Sequence, residues 1–113
     1  MEEVRAAVRQ QLPISIDYDP VRSPVRGQRI IEPHAVGFTR KGVPIVRGWV
    51  RQGVSSSGKI PAYTDGDARD RWRLFRLANI RTIRTLRRQT FPLRPGYRKN
   101  DKAMRRTGRV TAT

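Results

Sequence analysis

A chain of 113 residues with a formal net charge of +16 and no cysteine has room for one modest domain. That size argues against a complex active site beside a core, and the missing thiols exclude disulfides and cysteine zinc sites. No apolar run approaches the ~18 residues that cross a bilayer, and the start Met1-Glu2-Glu3 is acidic where a secretion signal is basic, so a cytoplasmic protein without membrane contact is expected.

Residues 2–10 are good helix formers with two acids at the start and Val4, Ala7 and Val8 on one face, which predicts a short N-terminal helix. After Pro13, the alternation Ile14, Ile16, Tyr18 against Ser15 and Asp17 predicts a half-buried strand stopped by Asp19-Pro20. Residues 21–27 read as turns, and Gln28 to Glu32 as a second strand ended by Pro33. Ala35 to Thr39 is a further short strand, and Lys41-Gly42 a tight turn. Residues 43–51 then form a strand with Ile45, Arg47 and Trp49 on one face and Val46 and Val50 on the other, Pro44 standing at its start or on an edge.

Residues 52–70 are polar and glycine-containing, the composition of a long surface loop. The clearest strand follows, Arg71 to Leu77, basic and apolar by turns, and a corner at Ala78-Asn79 leads to a last strand at residues 81–86. Short antiparallel strands of this number and length predict a mainly β fold, a small SH3-like or Sm-like barrel. The expected division is a helix at 1–10, a barrel at 11–90 and a basic C-terminal tail at 91–113 that orders by docking or with a partner.

Charge is unevenly distributed. Of the 25 basic residues, 14 lie from Arg71 onward, where Asp101 is the one acid. A field of that sign attracts polyanions, phosphate backbones foremost. Arginines far outnumber lysines; genomic G+C bias explains such a ratio without selection for binding, but not its position in the chain.

The segments Ile30-Ile31-Glu32-Pro33-His34, Gly37, Lys41-Gly42, Val46-Arg47-Gly48-Trp49, Trp72-Arg73-Leu74-Phe75-Arg76-Leu77 and Ile80, in that order, resemble a WYL domain of the short, stand-alone type. The likeness covers residues 11–90 and extends more weakly to Arg94-Pro95-Gly96-Tyr97. Two departures stand out: Pro44-Ile45-Val46 replaces the Trp-Tyr-Leu triplet that names the family, and Ala78-Asn79 replaces its usual Asp-Arg corner. The resemblance implies an Sm-like barrel that senses or binds nucleic-acid ligands in transcriptional regulators and defence systems.

Arg73 and Arg76 match the family's basic positions and are the first candidates for phosphate contact, although alternation puts them on opposite strand faces. Pairing with Asp67, Asp70 or Glu32 is the competing role. Trp49 matches a family aromatic position and is a candidate base-stacking platform, though such a tryptophan more often fills a core. His34 is a candidate phosphate donor, though a lone histidine in a turn is more often structural. Arg71, Arg47, Arg81, Arg84, Arg87 and Arg88 complete the candidate surface.

Catalysis, metal and cofactor are not expected. The Ser55-Ser56-Ser57 run has no base to orient it, and Asp65, Asp67 and Asp70 lack the remaining ligands of a cation loop. The expected function is a nucleic-acid-binding or nucleotide-sensing regulatory module, with single-stranded DNA or RNA favoured as partner and a transcription or defence complex beside it. The alternatives are a protein-interaction accessory subunit, favoured by the lack of a DNA-reading helix-turn-helix, and a structural component of a virion or ribonucleoprotein. Oligomerisation through edge strands is left open.

Overall fold

The computed structural model describes residues 1–19, 27–55, 58–60 and 71–113. The turns expected at 21–26, Ser56 and Ser57, and the acids Asp65, Asp67 and Asp70 lie outside the described residues.

Helix α1 (Glu2–Gln10) carries Glu2 and Glu3 in its first turn and Arg9 in its last, which complements the helix dipole, and buries Val4, Ala7 and Val8. Strand β1 (Ile14–Tyr18) buries Ile14, Ile16 and Tyr18, as its alternation required.

Strand β2 (Gly27–Phe38) is one continuous strand where the sequence suggested two ending and beginning around Pro33. Its register against β3 (Pro44–Ser55) shifts between Pro33 and Ala35, so His34 is the extra residue of a bulge. On the other edge, β1 pairs with β2 as far as Ile31, and β7 (Val110–Thr111) takes over at Ala35. Pro33 falls in the gap between these partners, where its missing N–H breaks no ladder bond. The bulge also switches the alternation. Ile31 before it and Val36 after it both enter the main core, which an unbroken strand would not allow.

Strand β3 pairs with β2 along one edge and with β4 (Gly58–Ile60) and β5 (Trp72–Arg76) along the other. Part of the expected surface loop is therefore a hairpin extension, in which the end of a long strand finds partners for its backbone groups. A 3-10 turn at Leu77–Asn79 carries the chain from β5 to β6 (Ile80–Thr85), which pairs with β1. The path β4-β3-β2-β1-β6, with β5 also on β3, places β5 and β6 at opposite ends, and the turn joining them bends the sheet into a small antiparallel barrel. Two bonds stitch the seam: Asp19 N–H to the Asn79 carbonyl at 2.9 Å and Arg76 N–H to the Tyr18 hydroxyl oxygen at 3.0 Å.

The main core joins Val4 and Val8 of α1 to Ile14, Ile16, Ile31, Val46, Val50 and Phe75. Gly48 lets Ile31 approach β3, for a Cβ there would lie 3.1 Å from the Ile31 Cδ1.

Residues 91–113, expected as a tail, are packed onto the barrel. Phe91, Met104 and Ala112 are buried, Met104 in a second cluster with Ala35 and Ile45. The physical reason lies in β3, which is apolar on both faces: Ile45 and Trp49 are as deeply buried as Val46 and Val50. A sheet with two apolar faces requires cover on both. Main-chain bonds fasten the covering segment, from Phe91 N–H to the Gln11 carbonyl (3.0 Å), Arg105 N–H to Phe38 (2.8 Å) and Ala112 N–H to His34 (2.8 Å). Helix, barrel and C-terminal segment contribute residues to shared cores. Among the described residues no helix is long and apolar enough to cross a membrane.

Candidate nucleic-acid interface

The bulge in β2 turns Glu32 and His34 toward the covering segment. The Glu32 carboxylate is fully buried and accepts from Arg94 Nε (2.6 Å) and Nη2 (2.9 Å) and from Arg51 Nε (3.0 Å). This bidentate fork with a second guanidinium is the strongest type of side-chain pairing available. His34 is equally buried and accepts at Nε2 from the Arg94 N–H (3.1 Å), so Nδ1 carries the proton and donates to the Glu32 carbonyl (2.8 Å). Burial lowers its pKa, with the Arg94 charge adding to the effect, against the opposing pull of the Glu32 carbonyl and carboxylate. Trp72, Phe91 and Tyr97 surround the imidazole at centroid distances of 4.7–5.2 Å. Trp49 lies edge-on to Trp72 (5.4 Å) with the Arg94 guanidinium 5.7 Å from its ring centroid.

Four of the sequence-predicted contacts therefore have structural work. Trp49 and His34 are sealed beneath the covering segment, where no strand can stack on them. Arg71 is 2% exposed, its Nη1 donating to the carbonyls of Val50 (3.1 Å) and Arg51 (2.9 Å). Arg47 holds Asp101 through Nε (2.7 Å) and Nη2 (3.3 Å). Alternation put Arg47 and Trp49 on one face of their strand with Ile45; it did not show that this face is covered.

The others are on the surface, but not as one cluster. Arg73 is half-buried with Nη1 on the Trp72 carbonyl (2.8 Å), and Arg76 is exposed. Arg81 lies beside Asp19 at 3.4 Å with its side chain 57% exposed. Arg84, Arg87 and Arg88 are exposed and, with Leu86 and Gln89, line a shallow groove at the end of β6. Among the described residues no acid stands within ion-pair distance of Arg76, Arg84, Arg87 or Arg88.

A second groove, of about 310 Å³, opens between β3, β5 and the covering segment, lined by Arg47, Trp72, Tyr97, Arg98, Asp101 and Lys102 among others. Trp72 donates its indole N–H to the Pro95 carbonyl (2.8 Å). Gly96 (φ +88°) closes the turn over that ring, since a Cβ would lie 2.9 Å from Nε1. The Asp101 carboxylate also accepts from the Ala103 N–H (3.0 Å). Burial alone would raise its pKa, but these bonds and the charges of Arg47 and Arg109 outweigh burial and leave it below the ordinary carboxylate value.

No family model matches the sequence, and no curated protein matches it. Among solved structures the chain is similar to part of proteasome accessory factor B/C (PafBC) of Arthrobacter aurescens. The TM-score is 0.61 at 24% identity, over 87% of this chain and 13% of that one. That likeness is one of fold. The present chain thus spans a small part of the length of PafBC.

Sequence reasoning missed Trp72, Tyr97, Arg98 and Lys102 as neighbours of one groove. The signal available for Tyr97 and Arg98 was one aromatic set among basic residues from Arg94 to Lys99, in a segment expected to order by docking but with nothing to indicate what it covers.

Proposed function

We propose that this chain is a nucleic-acid-binding regulatory module of the WYL type, which holds single-stranded DNA or RNA by its phosphates and works beside a larger transcription or defence complex. One observation carries the reading: Glu32 and Asp101 are held by arginines of the packed segment and strand β3, while four other arginines stay in solvent. Both oxygens of Glu32 and both of Asp101 are taken up by Arg94, Arg51 and Arg47, whereas Arg76, Arg84, Arg87 and Arg88 face solvent. Their positive field is left unscreened by those two carboxylates, and guanidinium forks suit phosphate oxygens. The WYL-like run of residues supports the regulatory role, as does the fold likeness to part of PafBC, an accessory factor by name.

The test is a titration of labelled single-stranded DNA and RNA across salt concentrations. Affinity falls steeply with salt, and Arg84→Gln, Arg87→Gln and Arg88→Gln together lower the log–log slope by roughly 2, at ~0.7 per single-strand phosphate contact. Absence of binding at low salt, or an unchanged slope in the triple variant with Arg76→Gln added, refutes the reading.

A further inference from the structure

We propose that the groove between β5 and residues 95–102 seats one nucleotide, its ring against Trp72 and Tyr97 and its phosphate against Arg98 and Lys102. The inference rests on the nucleic-acid reading above and narrows it to a site distinct from the exposed arginines of β5 and β6.

Size is the first argument. At about 310 Å³ the groove stands at the small end of ligand sites, which run from ~300 to ~1,000 Å³, so it takes a single unit rather than a length of strand. Its aromatic lining is the second. Trp72 is held by its bond to Pro95 and by edge contacts with His34 and Trp49, and Tyr97 is held by its hydroxyl donating to the Ala112 carbonyl at 2.7 Å. Rings fixed in this way lose little entropy when a base stacks on them. Charge is the third: Arg47, Arg98 and Lys102 stand against one carboxylate, Asp101, whose oxygens are already held by Arg47 and the Ala103 N–H. An anion entering the groove meets exposed cations and a neutralised acid. Gly96 lets the turn pack against the edge of Trp72, where a Cβ would lie 2.9 Å from Nε1, and so helps to fix that ring.

The same chemistry comes from a free nucleotide or from the phosphorylated end of a strand, and the experiment separates them. The full chain is titrated with 5′-AMP, 5′-UMP, adenosine, ribose 5-phosphate and inorganic phosphate, following tryptophan fluorescence and calorimetric heat. Both nucleotides bind saturably, and adenosine and ribose 5-phosphate each bind at least tenfold more weakly. Arg98→Gln with Lys102→Gln, both on exposed side chains, weakens 5′-AMP at least tenfold at an unchanged melting temperature. Displacement of 5′-AMP by a 5′-phosphorylated oligonucleotide but not by its 5′-hydroxyl twin identifies a strand end; displacement by neither identifies a free nucleotide. Either result supports the site. Phosphate or ribose 5-phosphate binding as tightly as 5′-AMP, or no saturable binding of any nucleotide, overturns it. If oligonucleotides still bind through the Arg84, Arg87 and Arg88 surface, the general reading stands while this one falls; if they do not bind at all, the general reading falls as well.

Discussion

Replacing Glu32 by Gln should produce the largest stability loss of any single-charge change in this protein. The side chain is fully buried and accepts from both Arg94 and Arg51 at 2.6–3.0 Å. Gln removes the countercharge, offers one acceptor oxygen where there were two, and points an amide N–H2 at a guanidinium that is itself donor-only. Breaking a buried pair by removing one partner costs about 3–5 kcal/mol. The Arg94 and Arg51 side chains keep 19% and 25% exposure, so water relieves part of their stranded charge and the lower end, about 3 kcal/mol, applies. For a domain of this size that is a fall of roughly 12 °C in Tm. With a urea m-value of about 2 kcal/mol/M it is a midpoint lowered by about 1.5 M. Urea unfolding read by tryptophan fluorescence is suitable, because Trp49 and Trp72 both lie by the Arg94 clasp. Arg94→Met in the Glu32→Gln background should add less than it does alone, since the two changes break one interaction. A loss below about 1 kcal/mol for Glu32→Gln would mean that the clasp does not hold the covering segment, and the account given of residues 91–113 would fail with it.

Two further outcomes follow from the same region. The folded state keeps His34 neutral, because burial lowers its pKa below 6.5, so the unfolded chain binds the extra proton first as pH falls. The stability linked to His34 is therefore full above about pH 6.5 and is lost progressively below it. Urea midpoints at pH 7.5 and 5.5 should differ in wild type, and the difference should shrink in His34→Gln; an equal difference in both would assign the pH dependence elsewhere. Gly48→Ala puts a methyl 3.1 Å from Ile31 Cδ1 and should cost about 1–3 kcal/mol by overpacking, checked by thermal melting, whereas a neutral result would show that Ile31 has room to move.

Local pattern was sufficient for much of the barrel. Alternation at Ile14, Ile16 and Tyr18, the thin stripe of α1 and the basic and apolar alternation from Arg71 to Leu77 each need only neighbours in the chain, and the structure places all three as elements. The concentration of charge after residue 70 is likewise a property of the sequence. Pro33 misled because proline ordinarily ends a strand, and the gap between β1 and β7 that accommodates it is a product of pairing with the distant β7.

For the candidate interface the division is sharper. The sequence by itself determined that this is a small β-rich protein with an arginine-heavy second part. Only the tertiary structure decided which of those arginines are available. Whether a guanidinium faces water or a carboxylate depends on partners far along the chain: Arg94 reaches Glu32 across 62 positions and Arg47 reaches Asp101 across 54. Alternation says which way a side chain points from its strand. It says nothing of what is folded over that face, so the full burial of Trp49 and His34 and the half-burial of Trp72 beside Arg98 were settled by packing alone.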